Sequence, residues 1–233
     1  LVAVGFFMQT LDGTIVNTAL PAMATSLGES PLRLQAVVVA YMLTMAALIP
    51  ASGWLADRFG SQRVFLSAIV LFSAGSAACA LSNDLSQLIA ARVLQGLGAA
   101  VLLPVGRLVI LQHFPREELL SAMSFVAIPG LIGPLIGPTL GGWLVETASW
   151  HWIFLINLPV GLVGALATMR YMPNLKRADA GRFDLAGYAM LVLAMIAISL
   201  ALDGLGGLGW ASTLVVLLMV AGLAALTAYW LHA

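Results

Sequence analysis

Long apolar stretches alternate along this chain with short polar breaks. Eight stretches, at 1–20, 34–55, 64–82, 86–111, 119–145, 152–172, 185–202 and 211–231, match the length of a bilayer-crossing segment; about 20 apolar residues suffice. They are too long for barrel strands and lack alternation with a period of two, so helices are the only solution. The pattern predicts an all-α polytopic membrane protein with eight spans. The second and third stretches are separated by Gly53-Trp-Leu-Ala-Asp-Arg-Phe-Gly60 and little else. That predicts a hairpin of two membrane helices. Gly53 is expected to let the helices approach closely and Gly60 to let the backbone reverse. Asp57 and Arg58 are expected at the membrane surface.

The longest break, 173–184, is the one segment of sustained polar composition. It predicts a boundary between a six-helix domain at 1–172 and two additional helices at 185–233. Orientation follows from lysine and arginine. Arg58, Arg63, Arg116, Lys176, Arg177 and Arg182 lie in the breaks after stretches two, four and six, with Arg107 and Arg170 at the adjoining helix ends. The other breaks hold only Arg33. The first set is therefore expected in the cytoplasm. Trp143, Trp150, Trp152 and Trp210 are expected to form an aromatic belt at the opposite surface. The chain begins at Leu1, already inside an apolar stretch, and is expected to be an N-terminal fragment of a longer protein.

Composition sharpens this picture. Hydrophobic residues make up 61% of the chain and charged residues 9%, against about 25% charged in soluble domains. Mean hydropathy is +1.03. Net charge is zero, so no nucleic-acid footprint is visible. The single Cys79 excludes an intramolecular disulfide and a cysteine-rich metal site. His113, His151 and His232 are far apart and lack metal-ligand spacing. There is no phosphate-cradling Gly-Lys-Ser/Thr loop. No enzyme constellation is present, and no cofactor or metal is expected.

The candidate chemistry lies in the few polar residues inside the apolar stretches. Asp12 sits in the first, between Gln9 and Asn17. A carboxylate at membrane depth costs about 2.5–3.5 kcal/mol on insertion scales. It should face a cavity or a partner, and it suits a group that takes up and releases a proton; a static hydrogen bond to a neighbouring helix is the alternative. Arg92, in the fourth stretch, cannot lose its proton and must be paired or hydrated. Gln95 and Gly96 share its helix face. Snorkelling to the surface is the alternative for Arg92. At 1.5 Å per residue Asp12 and Arg92 lie at similar depths, on the order of 10–12 Å below the outer surface, which does not by itself imply contact. Gln9, Asn17 and Gln95 are candidates for a polar cavity lining. In the fifth stretch Gly130, Gly133, Gly137 and Gly141 recur every three or four residues, a groove that permits close helix contact. Pro134 and Pro138 remove backbone donors there and are expected to bend the helix.

Several of these stretches resemble a known family. The octet Gly53–Gly60 resembles the signature loop of the major facilitator superfamily, with Ser61 and Gln62 where the family pattern has basic residues and only Arg63 basic. Leu11-Asp12-x-Thr14-Ile15-Val16-Asn17-x-Ala19-Leu20-Pro21 resembles a motif of the fourteen-span drug:proton antiporters within it. Arg92-x-x-Gln95-Gly96 resembles a fourth-helix motif of proton-coupled members. Gly133, Gly137, Pro138, Gly141 and Gly142 match a motif associated with antiporters. Trp150-His-Trp-x-Phe-x-x-Asn157-x-Pro-x-Gly161 is similar to a further pattern of the same group, with His151 where arginine is common. Phe183-Asp-x-x-Gly187 also matches the fourteen-span group, whose two extra helices follow the sixth. A shared Gly-Trp-Leu-x-acid at Gly53–Asp57 and Gly142–Glu146 fits the inverted repeats of such transporters.

The resemblance implies a six-helix N-terminal bundle plus two extra helices, in a bacterial cytoplasmic membrane. It implies export of drugs or other small amphipathic molecules in exchange for protons, by alternating access, with a C-terminal half as partner. Asp12 and Arg92 would carry proton coupling. Gly53, Asp57, Arg58 and Gly60 would gate the cytoplasmic side. Two other readings stay open: a proton-coupled carrier for a defined metabolite such as an amino acid or siderophore, and a non-transporting membrane assembly or sensor protein.

Overall fold

A computed structural model describes residues 1–177, 181–208 and 212–232. Among them every regular element is a helix: α1 (Val2–Leu27), α2 (Pro31–Phe59), α3 (Ser61–Ala80), α4 (Leu85–His113), α5 (Leu119–Thr147), α6 (Trp152–Leu155), α7 (Asn157–Tyr171), α8 (Leu185–Leu208) and α9 (Thr213–His232). α6 and α7 make one span, Trp152–Tyr171, interrupted at Ile156. All eight expected spans are thus helical, residue 211 of the last lying outside the described residues. Seven are long and apolar enough to cross a membrane on composition alone; α1 is not among them. The reason is its polar content: Gln9, Thr10, Asp12, Thr14, Asn17 and Thr18 fall within four turns.

Local chemistry sets the ends. α1 runs through Pro21, beyond the expected stop at residue 20, and closes on Gly28 in the left-handed region at φ 66°. α2 starts with Pro31 behind Ser30, whose hydroxyl accepts from the Arg33 N–H at 3.3 Å. Proline at the first helical position loses nothing, since that N–H has no intrahelical partner. Asp84 caps α4 by accepting from the Gln87 N–H at 2.9 Å, while Gln87 accepts from the Asn83 N–H at 3.1 Å.

The octet is not a loop. α2 stays helical to Phe59, and the chain reverses at the single residue Gly60, at φ 95° and ψ 137°. Gly53 does not do what the sequence suggested. It is exposed, and a Cβ there would meet nothing within 4 Å. It lies on the face of α2 turned away from α3 and α4, so no close approach depends on it within these residues.

The glycines of α5 behave as expected, and their partner is α1. A Cβ at Gly130 would strike the Phe6 ring, and at Gly133, Gly137 and Gly141 it would strike the hydroxyls of Thr10, Thr14 and Thr18. Gly142 points elsewhere, with nothing within 4 Å. The threonines satisfy their own hydroxyls on α1, to Phe6 O at 2.9 Å, Thr10 O at 3.1 Å and Ile15 O at 2.7 Å. Their methyl and hydroxyl groups therefore fill the glycine groove without orphaned donors. In lipid such close packing replaces the hydrophobic effect as the main attraction between helices. Helix α5 continues through Pro129, Pro134 and Pro138. Pro50 and Pro138 occupy equivalent places in two helices of 29 residues each.

The remaining bundle pairs α3 with α4, α2 with α4 and α7 with α3, while α8 and α9 pack on each other and reach the rest through α8 against α2. Two clusters close the bundle. One end gathers Met23, Leu34, Cys79, Leu85, Leu144, Trp150 and Phe154. The other gathers Ala56, Val64, Phe65, Val109 and Met172. The second end carries the basic residues, and the positive-inside rule assigns it to the cytoplasm. The aromatic belt is only partly realised. Trp143 and Trp152 are exposed, but Trp150 is buried in the first cluster and stacks on His151 at 3.7 Å between ring centroids. Trp210 lies outside the described residues. Burial lowers the His151 pKa.

Candidate functional site

Asp12 and Arg92, far apart in sequence, meet inside the bundle. Arg92 Nη1 donates to Asp12 Oδ2 at 2.6 Å, and the two side chains are 1% and 0% exposed. Arg92 therefore does not snorkel. Gln95, one turn on from Arg92, donates from Nε2 to Asp12 Oδ1 at 2.8 Å and accepts from Arg92 Nη1 at 2.7 Å. The helical spacing of Arg92 and Gln95 is what lets one carboxylate hold both.

Two further residues complete the cluster. Asn157 Nδ2 reaches Asp12 Oδ1 at 3.3 Å and Ser76 Oγ at 3.0 Å. Ser76 also accepts from Gln95 Nε2 at 3.3 Å and donates to the Phe154 carbonyl at 2.8 Å. That carbonyl stands at the break between α6 and α7. Helices α1, α3, α4 and the interrupted span thus contribute to one continuous polar network. Helix α2 contributes differently. Its Val37 carbonyl accepts from Arg92 Nε at 3.4 Å, and the Tyr41 ring lies 4.0 Å from the guanidinium carbon. Desolvation strengthens such a cation–π contact. Charges buried to this degree are tolerable only when paired and hydrogen-bonded, as these are.

The other candidates lie apart. Gln9 faces α2, with Nε2 4.0 Å from Met45 Sδ and a buried Oε1 that has no partner in the structure. Asn17 is exposed and bonds only within α1, to the Gly13 carbonyl at 3.4 Å. It is not part of the cluster. A groove of about 560 Å³ opens at the basic end, walled by Val2, Ile110, Phe125 and Met172, and no residue of the cluster lines it. Sequence reasoning did not single out Ser76 or Tyr41, and it named Asn157 as a motif position without giving it a role. Asn157 carried a usable signal, as an amide inside an apolar span; Ser76 and Tyr41 carried none that separates them from ordinary packing residues.

At the basic end the octet meets the 173–184 segment. Asp57 pairs with Arg177 at 3.5 Å, and its carbonyl accepts from the Arg177 N–H at 3.2 Å. Arg58 is exposed. Ser61 donates to the Pro173 carbonyl and accepts from the Leu175 N–H, both at 2.9 Å. Gln62 Nε2 donates to the carbonyls of Thr168 and Met169, both at 3.2 Å. A Cβ at Gly60 would strike Asn174. Trp54 Nε1 donates to the Gly181 carbonyl at 2.9 Å, and its ring packs on Phe183 at 4.9 Å. Of the residues that depart from the family's basic pattern, Ser61 thus helps to hold this segment down and Gln62 holds the end of α7. Asp184 accepts from the Gly187 N–H at 2.9 Å and lies 3.0 Å from His232 Nε2. The Gly187 amide first, and His232 second, hold its carboxyl below the usual range.

The helices and the buried charge network define a multi-pass integral membrane protein whose bundle encloses paired intramembrane charges. The family model of the Major Facilitator Superfamily matches residues 2–184, and the chain belongs to that superfamily. Membership places it among membrane transporters and not among enzymes. It is 60% identical over 233 residues to a protein of Serratia proteamaculans that carries the multidrug-resistance name MdtD. It is 59% identical over 233 residues to the protein of the same name from Yersinia enterocolitica. All of this chain is covered in both matches, but 49% and 50% of those relatives, so it spans about half their length. These relatives agree with a bacterial inner-membrane location. Among solved structures it resembles the peptide transporter-family protein PepTSo, with TM-score 0.67 at 17% identity, covering 98% of this chain and 50% of that one. A bacterial homologue of the lysosomal transporter Spinster, inward-facing and unoccupied, matches at TM-score 0.59 and 18% identity, over 98% of this chain and 59% of that one. At these identities the likeness is one of fold.

Proposed function

We propose that this chain is the N-terminal half of an exporter that exchanges protons for drugs or other small amphipathic molecules across the cytoplasmic membrane by alternating access. The observation that carries the reading is the sealed pair of Asp12 and Arg92, with the carboxylate held by donors from α4 and the interrupted span. A proton on Asp12 removes the charge that holds Arg92. The guanidinium then keeps the Gln95 side chain, the Val37 carbonyl and the faces of Tyr41 and Phe154, all of them neutral. Helix α1 is freed from α4, and loss of the proton restores the link. A proton gradient selects between two packings in this way, which is what coupled transport requires.

The rest of the chain takes its role from this. Residues 1–172 form the six-helix half, 173–184 the cytoplasmic linker and 185–233 the two added helices, ahead of a C-terminal half. Gly60 and Asp57, with Arg58 and Gly53 beside them, form the cytoplasmic gate. Gly133, Gly137, Pro138, Gly141 and Gly142 set how α5 moves with α1. Names shared with multidrug-resistance relatives at 59–60% identity support drugs as the substrate class.

The test uses the full-length protein in proteoliposomes with ethidium and rhodamine as amphipathic probes and an imposed proton gradient. Asp12→Asn abolishes accumulation against the probe gradient, and Asp12→Glu retains part of it. Accumulation by Asp12→Asn driven by protons alone overturns the assignment.

A further inference from the structure

A proton must reach Asp12, yet its side chain is fully buried and both oxygens are engaged. One wall of the cluster therefore moves. The walls are not equally fixed. Towards α4 the carboxylate is bound by Arg92 and Gln95, towards α3 and the interrupted span by Asn157 and Ser76, and Ser76 is itself tied to the Phe154 carbonyl. Helix α2 closes the remaining side with a single aromatic face and one long hydrogen bond of 3.4 Å.

Tyr41 carries a second anomaly. It is 3% exposed, and its hydroxyl has no hydrogen-bond partner in the structure. A buried hydroxyl without a partner is penalised, so the closed position of this ring is biased against. One turn along α2, Met45 lies against Gln9, whose Oε1 is also buried and unpartnered. The orphaned acceptor of α1 and the orphaned hydroxyl of α2 thus stand along the same seam between the two helices. A ring that swings from the guanidinium towards that seam gives up the cation–π contact, moves its hydroxyl out of a site without a partner and uncovers the pair.

We infer that Tyr41 is the gate through which a proton reaches Asp12. It acts through access and not by touching the proton, so it is a positioning residue. The inference builds on Asp12 as the proton site, but its test reads access directly. Dicyclohexylcarbodiimide reacts with protonated carboxyl groups, and site-resolved mass spectrometry of the full-length protein gives the rate at Asp12. Asp84, exposed at the start of α4, is the internal reference.

Tyr41→Ala is expected to raise the Asp12 rate roughly two- to thirtyfold, the equivalent of one cation–π contact, with the Asp84 rate unchanged. Tyr41→Phe keeps the ring and removes the orphaned hydroxyl, so it is expected to label Asp12 more slowly than the parent protein. The Phe variant preserves the packing and decides the matter even if the Ala variant fails to fold. Equal Asp12 labelling in Tyr41→Phe and the parent overturns the inference. A rise at Asp12 and Asp84 together overturns it too, since that is general loosening. Export by Asp12→Asn would remove the proton-coupling role and leave a Tyr41-dependent labelling rate standing.

Discussion

The pairing of Asp12 with Arg92 predicts a large departure from additivity in stability. Asp12→Asn leaves an oxygen for Gln95 and Asn157, but removes the negative charge facing Arg92 Nη1 at 2.6 Å. The guanidinium then stays buried on neutral partners, Gln95 Oε1 at 2.7 Å and the Val37 carbonyl at 3.4 Å. Arg92→Gln leaves the converse, a carboxylate with amide donors only. Breaking one side of a buried pair typically costs about 3–5 kcal/mol, because the other charge is stranded. The double variant strands nothing. It loses the contact over Tyr41, about 2 kcal/mol when desolvated, and some hydrogen bonding. Its total should resemble one single variant and fall well short of both together, a coupling of at least about 2 kcal/mol. The assay is equilibrium unfolding of the full-length protein in mixed micelles, read by intrinsic fluorescence, on all four members of the cycle. Single costs that add within about 0.5 kcal/mol would refute the reasoning, and the pair would then be two independently solvated groups.

Two further perturbations test the scaffold. Gly137→Leu places a branched side chain against Thr14 and the Ile15 backbone; overpacking of this kind costs about 1–3 kcal/mol, so export should fall more than membrane insertion, and normal export by a well-expressed variant would show that the groove is not held closed against α1. Ser61→Arg restores a basic residue of the family pattern in a site that is 1% exposed and bonded to Pro173 and Leu175; trypsin should cut after Lys176 and Arg177 faster than in the parent, and an unchanged cleavage rate would mean the segment is held elsewhere.

The helices were legible because bilayer length is written directly as apolar run length. Their ends were not. The first span was expected to end at residue 20, yet the helix runs on through Pro21, because neighbouring helices can offset a lost backbone donor. The glycine groove was legible on α5 from spacing alone, whereas its filler, the threonines of α1, was hidden among ordinary polar residues. Asp12 and Arg92 stood out because charge in an apolar run is rare. Ser76 and Tyr41 did not, since serine and tyrosine occur widely in membrane helices and only three-dimensional proximity marks them. The role of Ser61 and Gln62 was inverted by the structure. They read as a weakening of a basic pattern, and they turn out to be anchors, Ser61 for the segment that follows α7 and Gln62 for the last turn of α7 itself. Gly53 was over-read, because a motif glycine need not sit where two helices meet.

The separation of Asp12 from Arg92 along the chain, 80 residues, has a consequence for biogenesis. At about 5–20 residues per second, a ribosome takes roughly 4–16 s to supply the arginine after the aspartate. Throughout that interval α1, the least apolar of the eight spans, lacks the arginine that pairs with its carboxyl. Asn157 comes later still, 145 residues after Asp12. A helix made before α4 and the interrupted span is therefore secured only after both have followed it. Until α4 emerges its carboxyl needs shelter from lipid, at the translocon or beside an insertase. The pair to which we assign proton coupling would then take part in assembly as well, with docking of α4 as the event that releases α1 into the lipid.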